Sequence, residues 1–110
     1  MKKYGAPNLL YKNNGNGAFT EAPNGAGLAK ATFGNYHGTI CSFADYDNDG
    51  FMDAAFSGLK NALYKNGRGH FVVASDVAGI PQLNDGRGGS WGDYTNVGLP
   101  DLCVSRQKLR

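Results

Sequence analysis

The chain passes twice through one pattern, and that repetition limits the fold more than any other feature of the sequence. Asn8-Leu9-Leu10-Tyr11-Lys12-Asn13 recurs as Asn61-Ala62-Leu63-Tyr64-Lys65-Asn66. Asn16-Gly17-Ala18-Phe19 returns as Arg68-Gly69-His70-Phe71, and Ala26-Gly27-Leu28 as Ala78-Gly79-Ile80. Ser42-Phe43-Ala44-Asp45-Tyr46, followed by Gly50 and Asp53, returns as Ser90-Trp91-Gly92-Asp93-Tyr94, followed by Gly98 and Asp101. The offset between matched residues drifts from 53 to 48, so insertions fall between the matched blocks. Loops of variable length on a constant scaffold behave in that way. The sequence therefore reads as one module, 1–110, of two units, about 8–60 and 61–110.

Each unit predicts four short strands. In the first they are Leu9 to Lys12, Ala18 to Ala22, Thr39 to Ala44 and Met52 to Ser57. In the second they are Ala62 to Lys65, His70 to Ala74, Gly89 to Gly92 and Asp101 to Ser105. The Asn13–Gly17 cluster is a turn signal, because Asn and Gly tolerate positive φ. No segment holds a sustained helical period, although Gly25 to Ala31 has room for one turn. The fold class is all-β. Four strands in about fifty residues fit a β-propeller blade of antiparallel strands, about two blades per chain. Two blades do not close, since propellers use roughly four to eight. If the strands flanking the acidic loop are a blade's inner pair, the chain opens with an outer pair and finishes with an inner pair. Its two ends can then complete one another's blade, in a head-to-tail ring of chains or in a longer parent protein. A closed homo-oligomeric ring would be a trimer or a tetramer.

Composition narrows the function classes. Seventeen glycines without a three-residue period suit short strands and tight turns, not collagen. The formal charge is +2, with the eleven Lys and Arg dispersed, which gives no focused patch for nucleic acid. A single Gly86-Arg87-Gly88-Gly89 reads as a loop. No apolar run is long enough to span a bilayer, and the first seven residues carry no apolar export core. Cys41 and Cys103 lie in apolar strand-like runs and read as small buried residues; a disulfide between them cannot be derived from their spacing.

Four of the nine acidic residues fall within Asp45-Tyr46-Asp47-Asn48-Asp49-Gly50-Phe51-Met52-Asp53. Asp45, Asp47 and Asp49 take positions 1, 3 and 5, Gly50 makes the bend, and Asp53 closes the loop at position 9. Alternating carboxylates on a tight turn converge on one centre. Hard Ca²⁺ takes about six to eight oxygens, which the four carboxylates, the Phe51 carbonyl and water can supply. Zinc would call for His or Cys. Position 12 is Phe56 and strands flank the loop, so this is not an EF-hand. An alternative is a solvated Asx-type turn without metal, but the carboxylates repel one another and nothing basic lies nearby in sequence. The second unit keeps Asp93, Gly98 and Asp101 and replaces the inner carboxylates by Thr95 and Val97. That loop is predicted to keep the turn and to hold no calcium.

The acidic loop followed by apolar residues, together with Leu10-Tyr11-Lys12-Asn13-Asn14-Gly15-Asn16-Gly17-Ala18-Phe19-Thr20, resembles the FG-GAP or VCBS repeats of integrin-α-type β-propellers. Ser90-Trp91-Gly92-Asp93-Tyr94 is similar to the inner-strand entry of the same family. The resemblance covers nearly the whole chain. It implies a propeller with calcium held between the inner strands by Asp45, Asp47, Asp49, the Phe51 carbonyl and Asp53. It also implies an extracellular or periplasmic setting and binding of protein or carbohydrate in place of catalysis.

Gly88-Gly89-Ser90-Trp91-Gly92 fits the G-x-S-x-G elbow of hydrolases, but the corresponding Ser42 lacks both glycines, so the position reads as strand packing. His37 and His70 form no set with a nucleophile. Tyr36, Trp91 and Tyr94 could stack on sugar rings, as in a lectin; Trp91 and Phe43 read first as packing between blades. The second class of function is architectural, a propeller fragment that assembles into a symmetric ring.

Overall fold

The computed structural model describes residues 8–29, 40–57, 61–80 and 86–106. The segment before Asn8, Tyr36 and His37, Thr39 at the predicted start of the third strand, and Lys108 and Arg110 lie outside them. All eight predicted strands are present: β1 (Tyr11–Asn13), β2 (Phe19–Glu21), β3 (Ile40–Ala44), β4 (Asp53–Ser57), β5 (Ala62–Asn66), β6 (Phe71–Val73), β7 (Gly86–Gly92) and β8 (Asp101–Arg106). β7 runs three residues further upstream than predicted. Its three glycines before Ser90 removed the apolar signal, and a register shift between Gly86 and Gly88 marks the extension.

Among the described residues all pairing is antiparallel, in three sheets. One has four strands in the order β3-β4-β5-β6, and β1-β2 and β7-β8 are two-stranded. The four-stranded sheet is not built from the four strands of either sequence unit. It joins the second pair of the first unit to the first pair of the second unit, across the boundary at residue 60. The junction is in unbroken register, with Ala54 opposite Tyr64, Ala55 opposite Leu63 and Phe56 opposite Ala62.

β4 is central and buried along its whole length, Asp53 included. Ala54, Phe56, Ala62 and Phe71 form the core with Leu28, and Leu10, Ala26 and Tyr64 pack on its margin. Phe56 meets Tyr64 edge-on at 5.7 Å, and Phe71 meets Phe43 at 6.3 Å. β7 lies against β3 and β4 through backbone: a Cβ on Gly89 would overlap the Ser57 hydroxyl, and one on Gly88 would touch Ile40. The Trp91 indole N–H donates to Ser42 Oγ at 3.0 Å, and its ring stacks on Tyr46 at 6.3 Å. Trp91 is thus packing between sheets, while Phe43, which touches Phe71, keeps one face open.

Three expectations change. The turn in the first unit covers Pro23–Gly27, overlapping the start of the predicted span, whose last two residues lie outside the described ones; it is left-handed, with φ near +55° at Asn24, Gly25 and Ala26. The second unit instead carries a right-handed turn, α1 (Ser75–Ala78), whose Ser75 Oγ accepts the Leu63 N–H at 2.8 Å. One helical turn is too short to leave a periodic signal. Cys41 and Cys103 are both exposed free thiols, because among the described residues no strand pairs with β3 or β8 on its outer side.

Gly27 shows how closely the left-handed turn packs. Its φ is +101°, and a Cβ there would overlap the Phe71 carbonyl, whereas Gly15, at φ +88°, faces open space. Gly15→Ala is expected to cost about 1 kcal/mol, the strain of a left-handed residue alone. Gly27→Ala should cost about 2 kcal/mol more, because backbone must move; urea denaturation of both variants measures the difference.

Candidate metal centre

The loop joining β3 to β4 is organised by its two outer aspartates. Asp45 Oδ1 accepts the Asp49 N–H at 3.0 Å and its Oδ2 the Gly50 N–H at 2.7 Å. Asp53 Oδ2 accepts the Tyr46 N–H at 3.2 Å. The loop joining β7 to β8 repeats this. Asp93 accepts the N–H groups of Val97 and Gly98 at 3.1 and 2.6 Å, and Asp101 accepts that of Tyr94 at 3.1 Å. Asn48 and Asn96 both have φ of 60°, and Gly50 and Gly98 have φ of 91° and 89°. The second loop keeps this frame with Thr95 and Val97 at the inner positions. Asp47 and Asp49 are therefore not needed to make the turn.

Those two inner side chains complete a tight anionic cluster. Asp45, Asp47, Asp49 and Asp53 each offer a carboxylate oxygen within 4.8 Å of the others. Asp47 and Asp49 are exposed and Asp53 is fully buried. Phe51, the fifth predicted ligand, lies in the same loop, where its N–H donates to Asp49 Oδ1 at 3.0 Å.

The expectation that nothing basic offsets these charges is corrected by Lys65 of β5. Its Nζ lies 2.8 Å from Asp47 Oδ2 and 3.4 Å from Asp53 Oδ1, and it also contacts Asp49 Oδ2. It sits 5.8 Å from the Tyr46 ring centroid. The next residue fixes the strand to the loop: the Asn66 N–H donates to Asp53 Oδ1 at 2.8 Å, and its Nδ2 donates to the Met52 carbonyl at 2.9 Å. Lys65 and Asn66 are the functional residues missed from sequence, twelve or more positions from the loop. The usable signal was pairing: if β4 pairs with β5, Lys65 falls beside Asp53.

The electrostatics follow from this contact. Burial acts to lower the Lys65 pKa, but hydrogen bonds to Asp47 and Asp49 and the charge of Asp53 outweigh it and hold the ammonium well above the usual lysine range. The Lys65 hydrogen bond, followed by the Phe51 N–H, brings Asp49 down to about 2. The Gly98 and Val97 amides lower Asp93 in the second loop. Burial, then the charges of Asp53 and Asp47, push the Tyr46 phenol up.

A sequence model of the FG-GAP-like repeat matches residues 4–56. This part of the chain is an FG-GAP-like repeat. The match ends inside β4, so the FG-GAP-like repeat contributes the acidic loop, and the next unit contributes Lys65 and Asn66. No curated protein and no solved structure matches the chain.

Of the other predicted candidates, Ser90 lies inside β7 opposite Cys103, not at a strand-to-helix elbow, and His70 is exposed beside the β5–β6 turn. Among the described residues no helix is long and apolar enough to cross a membrane.

Asp53→Ala removes a buried acceptor that serves Tyr46, Asn66 and Lys65, and is expected to cost about 3 kcal/mol. Asp101→Ala, in the more open second loop, should cost about 1 kcal/mol or less; urea midpoints of the pair test this. The lowered pKa of Asp49 sets a second expectation. The stability it contributes is present above the unfolded carboxylate value near ~4 and is lost as pH falls through about 2. In calcium-free buffer, Asp49→Asn should flatten that part of the acid-unfolding curve, followed by circular dichroism.

Proposed function

We propose that this FG-GAP-like module is a non-enzymatic, calcium-stabilised β-propeller segment. The ion would be held by Asp45, Asp47, Asp49, the Phe51 carbonyl and Asp53. The observation that carries this reading is the comparison of the two loops. Both form the same turn, and the first adds two carboxylates that the turn does not require and that already face a cation, the Lys65 ammonium. The donor set fits Ca²⁺. It is all oxygen, and each carboxylate has about four lone-pair directions, so the outer aspartates can hold turn amides and still offer oxygen to an ion. Bound calcium would supply charge neutralisation and tie β3 to β4; no step of chemistry is assigned to it.

Lys65 makes the site self-competing. Its side chain is one-quarter exposed on a flexible stem, so it can leave the cluster when a divalent ion enters. Without calcium it holds the carboxylates together, and with calcium it returns to water. A protein or glycan partner is a further part of this reading. For a sugar, Trp91 is already committed to Ser42 and Tyr46, and Tyr36 lies outside the described residues. Tyr94, 83% exposed, is the aromatic left open.

Thermal unfolding in EDTA and in excess Ca²⁺ tests the calcium reading. A ligand at 100-fold its Kd adds about 2.7 kcal/mol, which for a chain this size raises Tm by roughly 10 °C. Asp47→Asn should abolish the rise. Lys65→Gln should lower Tm in EDTA and tighten calcium binding by calorimetry, since it removes the internal competitor. An unchanged Tm in both the natural chain and Lys65→Gln sinks the proposal.

A further inference from the structure

We propose that the free edges of β8 and β1 pair between two copies of this chain, in the register of β4 on β5, so that Lys12 and Asn13 of one copy complete the second acidic loop of the other. The intact four-stranded sheet supplies the template. β7-β8 matches β3-β4 in sequence, in loop hydrogen bonds and in loop dihedrals. β1-β2 matches β5-β6 as closely: Tyr11, Lys12 and Asn13 pair with Glu21, Thr20 and Phe19 as Tyr64, Lys65 and Asn66 pair with Val73, Val72 and Phe71. The flanking bonds also correspond. Ala22 N–H donates to the Leu10 carbonyl at 2.8 Å, and Ala74 N–H to the Leu63 carbonyl at 2.7 Å. The chain thus presents both halves of a second such sheet, and among the described residues they are not joined.

Surface exposure marks what is missing. Phe71 is 7% exposed and its counterpart Phe19 60%; Ala62 is 3% exposed and its counterpart Leu9 59%. β4 is buried throughout, whereas its counterpart β8 is half-buried to exposed. A cavity of about 580 Å³ lies against β7 and β8, bordered by Trp91, Asp93, Tyr94, Asp101 and Leu102. The residues equivalent to Asp101 and Leu102 in the intact sheet, Asp53 and Ala54, are fully buried beneath β5.

Carrying the register across by the two offsets sets Tyr11 opposite Leu102, Leu10 opposite Cys103 and Leu9 opposite Val104. Phe19 then faces Trp91 as Phe71 faces Phe43. Asn13 is poised for its part. Its Oδ1 already accepts the Gly15 N–H at 2.9 Å, as Asn66 Oδ1 accepts the Gly69 N–H at 2.7 Å. The Asn66 Nδ2 reaches the Met52 carbonyl, and the Asn13 Nδ2 would reach the carbonyl of Pro100, while Lys12 meets Asp101. A second copy is the occupant the edges specify, because each edge repeats the one that already binds its partner inside the chain. Repeated head-to-tail, about three or four chains would close a ring of six to eight sheets.

The test is the solution mass of the full chain by light scattering across a dilution series, in EDTA and in calcium, followed by disulfide mapping. With Cys41→Ser as background, Leu10→Cys should oxidise onto Cys103 of another chain and give a ladder, and Glu21→Cys, one strand further away, should not. Asn13→Ala, at an exposed position that folds independently of Leu10, should raise the concentration for half-dissociation roughly tenfold. Assembly with the Leu10 ladder and the Asn13 effect is the expected result. A folded single chain in both buffers overturns the inference, including the case in which these edges serve a neighbouring repeat of a longer polypeptide. A multimer that crosslinks through Glu21 and not Leu10 overturns it equally.

Discussion

Everything in this structure turns on an aspartate that accepts the amides of its own loop. Asp45 and Asp93 each take two backbone N–H groups, and Asp53 and Asp101 close the loop from the far strand. Hydrogen bonds to an ionised acceptor are about twice as strong as neutral ones, and here they form between residues close in sequence. The bend they impose brings β3 onto β4 and β7 onto β8. Asp53 carries this further, because the oxygen not used by Tyr46 accepts the amide of Asn66, the last residue of β5, and fixes that strand.

The inner pair of aspartates adds a different kind of energy. Asp47 and Asp49 are not required by the turn, although Asp49 accepts the Phe51 amide; together they concentrate charge. In water such a cluster is screened and tolerable, but beside the buried Asp53 it attracts whatever cation is within reach. In this fold Lys65 is within reach and tethered, and the carboxylates around it favour its charged form. The two loops therefore separate architecture from ion affinity, since one has the frame alone and the other has the frame plus a cation-seeking pair.

Much of this was legible in the sequence, for identifiable reasons. The eight strands and the acidic bend declare themselves through the repeat and through local signals: Asn-Gly turns and a glycine after the third aspartate. The match of the two loops was legible because Asp93, Gly98 and Asp101 persist where Thr95 and Val97 do not. Whatever depended on pairing distant segments was not. Lys65 lies sixteen residues beyond Asp49, and only strand register shows that it returns to the loop. The cysteines looked buried because their neighbours are apolar, but burial of an edge strand depends on what lies beside it. The left-handed turn at Asn24-Gly25-Ala26 placed an alanine where local preference disfavours one, and contact with β6 decided it.

The mismatch between sequence unit and sheet unit has a mechanical meaning. Because the first repeat supplies β3-β4 and the second supplies β5-β6, the four-stranded sheet is encoded by neither repeat alone. In chain order the sheets change after β2 and after β6, not at the acidic bends. Pulling the two repeats apart would open that sheet between β4 and β5, so both repeats bear load on one seam and melt together, as in arrays whose stability resides in the junctions.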